Sequence, residues 1–154
     1  PEDENFTYTF NGWSPALQAV TGDTEYIAQF TAVSKRVEPT YTVTIPAAVN
    51  EGESFKVSAT GVVLNTDQTL TVTLQSDFTL TNEQGAELGF KINDGAIVNN
   101  TQLISVTGNG DKNNPLSFTT ENLVVEIAEE AKYSGTYTGS ITFTIAVNTA
   151  EDTE

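Results

Sequence analysis

The chain has 154 residues, with 21 acidic against six basic side chains and a formal charge of −15 at pH 7. That charge disfavours nucleic acid and anionic membrane surfaces. The absence of His and Cys removes imidazole catalysis, thiolate nucleophiles, disulfides and the zinc sites built on either residue.

The composition points to a β protein. There are 25 Thr, a β-branched residue suited to a strand face that meets water. In chain order, Phe6-Thr7-Tyr8-Thr9-Phe10 alternates apolar and Thr, and residues 25–30 follow as a second strand. Tyr41-Thr42-Val43-Thr44-Ile45, residues 54–64 and Leu70-Thr71-Val72-Thr73-Leu74 continue the pattern. Residues 78–81, 88–93, 103–107, 116–119 and 123–127 supply further short strands, and Ile141-Thr142-Phe143-Thr144-Ile145 closes the series. Period two places the large apolar side chains on one face and Thr on the other, as in antiparallel sheets with one dry face. Asn11-Gly12, Thr21-Gly22-Asp23, Asn50-Glu51-Gly52, Asp94-Gly95 and Gly108-Asn109-Gly110-Asp111 carry turn chemistry between the runs. Residues 128–132 read as a turn or a short helical turn, because Val124, Val125 and Ile127 favour a strand before them. No run approaches the roughly 18 apolar residues of a membrane span. A start at Pro1 with no Met anywhere suggests a processed or excised piece.

A boundary is expected near 34–39, where Lys35-Arg36 is the only adjacent basic pair and Pro39 fits a linker. Residues 1–38 then form a β-hairpin, too small to be comfortable alone. Residues 39–149 offer seven to nine strands, enough for an immunoglobulin-like antiparallel β-sandwich. Residues 150–154 are an acidic tail or linker.

Tyr8-Thr9-Phe10-Asn11-Gly12-Trp13-Ser14-Pro15, with Val20-Thr21-Gly22-Asp23-Thr24 and Tyr26-Ile27-Ala28-Gln29-Phe30, resembles the C-terminal half of an internalin-type B-repeat, the Listeria–Bacteroides repeat. That resemblance implies part of a β-grasp-like module of a bacterial surface protein. Residues 131–145 are similar to the closing segment of WxL-type cell-wall domains and other Gram-positive surface sandwiches. Phe143-Thr144-Ile145 stands at the family's Trp-x-Leu. Together the resemblances imply an extracellular, Gram-positive, cell-surface parent with neighbouring domains as partners.

Candidate chemistry is sparse. Trp13, the only Trp, reads as a core plug after the Asn11-Gly12 turn, with stacking on a sugar or other ligand as the competing role. Asn109, Asp111 and Asn113, two residues apart, could present oxygens to Ca²⁺, but Asn114 and Thr120 stand where an EF-hand needs Gly and Glu. A solvated hairpin loop is the simpler reading. Alternation turns Lys56 and Lys91 outward, away from any buried Lys–Asn crosslink. Glu129-Glu130 and Glu51/Glu53 are acid pairs without the facing geometry of a glycosidase. Tyr137 could tie a loop to the last strand. The uncharged run 140–147 is long enough for its edge to invite strand addition. No cofactor motif is present, and no nucleophile–base set argues for an enzyme.

The sequence therefore suggests a non-enzymatic module of a surface protein, a structural element or spacer, or part of an adhesin. The alternative is a module that binds a host glycan or protein through loops at one end of the sandwich. A concave aromatic groove would favour binding, and chain ends at opposite poles would favour a spacer.

Overall fold

The computed structural model describes residues 1–3, 6–19 and 21–150. Val20 of the repeat-like motif and the acidic tail 151–154 lie outside the described residues. The chain divides into two compact units, Pro1–Arg36 and Val37–Glu154. The division falls just before Val37, because Val37 is held by the second unit. Asn65 Oδ1 accepts from the Val37 N–H at 2.8 Å, and Asn65 Nδ2 donates back to the Val37 carbonyl at 3.0 Å.

The first unit is an antiparallel hairpin of β1 (Phe6–Ser14) and β2 (Ile27–Ser34). Asn11-Gly12 is not its turn. Gly12 has φ of 107° and sits within β1, where the register shifts between Phe10 and Trp13. It makes a bulge, the alternative use of a residue free to adopt positive φ. The bulge keeps Trp13 on the same face as Phe6, Tyr8 and Phe10, opposite Phe30 and Ala28. Phe10 packs edge-on against both Trp13 and Phe30, with centroids 5.7 Å apart in each case. Asp3 anchors one end: its carboxylate accepts from the Phe6 N–H at 2.7 Å and from the Tyr8 hydroxyl at 2.6 Å. That bond holds the proton on Tyr8 and raises its pKa above the ordinary phenol value.

Among the described residues the second unit is an all-β antiparallel sandwich of ten strands. β3 (Thr40–Thr44), β5 (Ser58–Val63) and β10 (Leu116–Thr119) form one sheet in the order β10-β5-β3. β4 (Ser54–Phe55), β7 (Thr79–Thr81), β8 (Glu87–Ile92) and β11 (Leu123–Ile127) form a second, ordered β4-β11-β8-β7. β6 (Gln68–Gln75), β9 (Thr101–Thr107) and β12 (Thr142–Thr149) form the third, ordered β12-β6-β9. The run 54–64, expected as one strand, is divided at Lys56-Val57, and residues 116–127 are divided at the facing position. The registers Leu116↔Val62, Thr119↔Ser58, Leu123↔Phe55 and Val124↔Ser54 run through both pieces. The pieces are therefore one antiparallel ribbon that bends and passes from the first sheet to the second, as corners of sandwiches do. The bend is stitched by Thr120 N–H to the Val57 carbonyl (2.9 Å) and by Val57 N–H to Thr120 Oγ1 (3.1 Å). Gly61, at φ of 60°, carries a second irregularity where β5 slips register against both neighbours.

The alternation expected from the sequence sets the core. Leu70, Val72 and Leu74 of β6, Leu88, Phe90 and Ile92 of β8, and Ile104 and Val106 of β9 are buried. All but Leu88 join Phe55, Val57, Leu123 and Val125 of the bent ribbon in one hydrophobic cluster. The Thr face of β6 forms cross-strand bonds instead, with Thr69 and Thr107 hydroxyls 3.0 Å apart and Thr71 Oγ1 accepting from Asn148 at 3.3 Å. β12 is an edge strand, so Ile145, opposite buried Val72, stays 40% exposed. Residues 128–132 form bends without a helical turn.

The strand directions define two ends. At one, Val37 is tied to Asn65, the Ala150 N–H donates to the Asp67 carbonyl, and Gly108 and Gly110 donate to Gln68 and Leu64. β3 runs away from this end toward Pro46, and β12 runs back to it from Ile141. Eight residues of β12 span roughly 26 Å, which separates the two ends.

Candidate binding cleft

The far end holds an open cleft of about 1410 Å³. Its floor is the inner face of the second sheet, where Phe55, Leu88, Phe90 and Val125 alternate inward. Phe143 of β12 forms part of one side. Residues 46–51 form a wall. Pro46 lacks the N–H that would extend β3. Gly52, at φ of 75°, closes the wall's return, with its N–H bonded to the Val125 carbonyl at 2.8 Å. Glu53 Oε2 accepts from both the backbone and side-chain nitrogens of Asn50 at 3.1 Å, fixing the same turn.

The opposite wall is a strap, residues 128–140. It is tethered at its start by Ala128 N–H to the Gly89 carbonyl (2.9 Å). At its far end a two-way bridge joins Thr138 and Thr81, at 2.8 and 3.1 Å. Gly139 must be glycine there, since a Cβ would lie 2.6 Å from the Thr79 carbonyl oxygen. Among the described residues, the strap backbone between these tethers makes no hydrogen bond to the sheets. Tyr137 donates its hydroxyl to the Tyr133 carbonyl at 3.0 Å, so it braces the strap itself rather than tying it to the last strand as the sequence suggested. Tyr133 is 66% exposed. Beneath the strap, Asn82 Oδ1 accepts from the Gln84 and Ala86 N–H groups, while its buried Nδ2 has no partner. That Nδ2 would lie 3.4 Å from a Cβ at Gly135.

The sequence-derived candidates lie elsewhere. Trp13 is not a core plug: it is 43% exposed on the aromatic face of the hairpin, because a two-stranded ribbon has no second layer of its own to bury it. Asn109, Asp111 and Asn113 sit in the β9–β10 loop, at the end opposite the cleft. Asn109 Oδ1 accepts from the Asp111 N–H at 3.0 Å, and Asp111 Oδ1 accepts from the Asn113 N–H at 2.9 Å. Asn109 Nδ2 donates to the Asn114 carbonyl at 2.8 Å. The loop's polar side chains thus organise its own backbone. Among the described residues no cluster of three or more Asp or Glu forms a metal-type group. Lys56 is exposed, and Lys91 lies on the outer face of β8, 2.6 Å from Asp94. The Asp94 bond raises the Lys91 pKa, and Lys91 lowers that of Asp94.

Two acid groups treated separately in the sequence line the same cleft, Glu51 on one wall and Glu129 and Glu130 on the strap, although among the described residues no three acids form a metal-type group. Their distance in sequence hides this shared cleft. The one available signal is the stretch between Ile127 and Ile141, a long connection without alternation, and such connections are commonly functional.

No protein family, characterised protein or solved structure matches this chain.

Proposed function

We propose that this chain is a non-enzymatic binding module of an extracellular bacterial surface protein, presenting the cleft between residues 46–51 and the strap 128–140. The observation that carries the reading is the position of the cleft. It opens at the end of the sandwich opposite the Asn65–Asp67 region, where both Val37 and Ala150 are bonded. A module held at one end then offers its cleft at the other. The cleft exceeds the roughly 300–1,000 Å³ of small-molecule pockets, which suits a segment of polymer. The surface location rests on the repeat-like segment 8–30 and the closing segment 131–145, and membership in a Gram-positive adhesin would follow from it.

The test is a screen of the full chain against glycan, mucin and matrix-protein arrays at physiological salt. A saturable hit that is lost in Tyr133→Ser, with an unchanged melting temperature, supports the reading. Turnover of any polysaccharide, or binding untouched by cleft substitutions, would refute it.

A further inference from the structure

The cleft has a chemical signature of its own. Its floor is hydrocarbon and aromatic, from Phe55, Leu88, Phe90 and Val125. The walls also carry hydroxyls, from Tyr133, Ser134 and Thr136 among others, so the charge of the cleft rather than a lack of polar groups points to a ligand class. The walls carry the carboxylates Glu51, Glu129 and Glu130 against a single ammonium, Lys132. Charges more than about 8 Å away are screened at physiological salt, so the wall acids, rather than the net charge of the chain, set the local field. An anionic polymer is repelled. A second copy of the chain brings another −15, and its Lys35 is held by Glu2 at 3.1 Å and by the Asp3 carbonyl at 2.7 Å.

We propose that the cleft takes an extended cationic peptide segment, one apolar side chain seated on Phe55 and Phe90 and flanking Lys or Arg residues directed to Glu51, Glu129 and Glu130. This rests on the binding-module reading and narrows it to one ligand class. Desolvated apolar contact supplies the anchor, and charge complementarity supplies orientation and selectivity.

The experiment is selection of a random twelve-residue display library on the full chain, with counter-selection on a Glu51→Gln, Glu129→Gln, Glu130→Gln triple variant. The expected result is enrichment of Lys or Arg on both sides of an aliphatic or aromatic residue. Synthetic copies of the enriched peptide should shift the amide resonances of 46–51 and 128–137. Their affinity should fall roughly 3- to 10-fold in the triple variant, as expected for the loss of a few exposed ion pairs, and should fall again as salt is raised. Enrichment of acidic or uncharged sequences, or no enrichment, overturns the proposal. If the arrays still give a cleft-dependent hit, only the ligand class has failed. If they too are silent, the binding-module reading fails with it.

Discussion

Replacing Thr120 by valine tests the corner on which the sandwich and its cleft depend. Thr120 and Val57 are both buried, and Thr120 Oγ1 accepts the Val57 N–H at 3.1 Å. Valine keeps the shape but removes the acceptor. The Val57 N–H is then buried without a partner, at a cost of about 1–3 kcal/mol. Relief from burying a hydroxyl offsets part of this, roughly 1 kcal/mol, which leaves a net loss of about 0–2 kcal/mol. In urea that lowers the unfolding midpoint by up to about 1 M with an unchanged slope. Far-UV circular dichroism is the right probe, because the only tryptophan, Trp13, belongs to the hairpin unit and reports on that unit. Amide exchange at Val57 separates this mechanism from simple packing loss. Exchange should accelerate in Thr120→Val and stay slow in Thr120→Ser, which keeps the acceptor and loses only a methyl worth about 0.8 kcal/mol. A Thr120→Val protein with wild-type stability and a protected Val57 amide would refute the corner as described.

Other expectations follow from single contacts. Gly108→Ala places a Cβ 2.3 Å from the Asn65 carbonyl oxygen and 2.4 Å from that of Leu64, both backbone. It should cost at least the upper end of the ~1–3 kcal/mol overpacking range. Gly61→Ala meets open space at φ of 60° and should cost only about 1–2 kcal/mol of left-handed strain; thermal melts giving the reverse order would contradict both geometries. Asp94, hydrogen-bonded to Lys91, has its pKa lowered, so its contribution is complete above the ordinary carboxylate value and is lost as pH falls through the lowered one. The raised Lys91 contributes fully below the ordinary lysine value and loses its contribution as pH rises through its own raised pKa. A carboxyl-carbon titration should show Asp94 returning to the ordinary range in Lys91→Met, and an unmoved curve would remove the pair as the cause. Millimolar Ca²⁺ should leave the melting temperature unchanged, whereas a rise abolished by Asp111→Ala would place an ion in the 108–114 loop.

Much of the fold was legible because period two is a strong signal where a strand has one dry face. β6 and β8 show it cleanly: Leu70, Val72, Leu74, Leu88, Phe90 and Ile92 are buried at the positions their alternation assigned. The signal weakens at edges. β12 has the same pattern as β6, but with no outer neighbour Ile145 stays exposed. It fails where glycine is ambiguous, since Asn11-Gly12 fits a turn and a bulge equally and only the partner strand decides. It fails again at the Lys56-Val57 bend, where a continuous β pattern conceals a change of sheet. Trp13 was misjudged because burial depends on a second layer, which the hairpin's own sequence does not describe. The cleft was the least legible part. The resemblance carried by residues 131–145 says nothing of a cleft, which exists because the bend delivers Phe55 and Val125 to the same space that the strap and residues 46–51 enclose.

The sandwich is built unevenly along its strand axis, with one end tied far more densely than the other. At the Asn65 end, side-chain amide bonds, the Gly108 and Gly110 amides and the Ala150 amide all converge on residues 64–68. Glycine is required there by steric contact, since Leu64 and Asn65 lie against Gly108. At the cleft end, one backbone bond at Ala128 and one bridge at Thr138 hold a strap whose interval is otherwise unbonded to the sheets among the described residues. Segments with few backbone bonds and exposed side chains open at low free-energy cost. Substitutions in the strap should therefore alter what the cleft accepts while the core, fixed by the bent ribbon and β6, stays intact. Under the proposed binding role, residues 128–137 could change what the cleft accepts without rebuilding the interior.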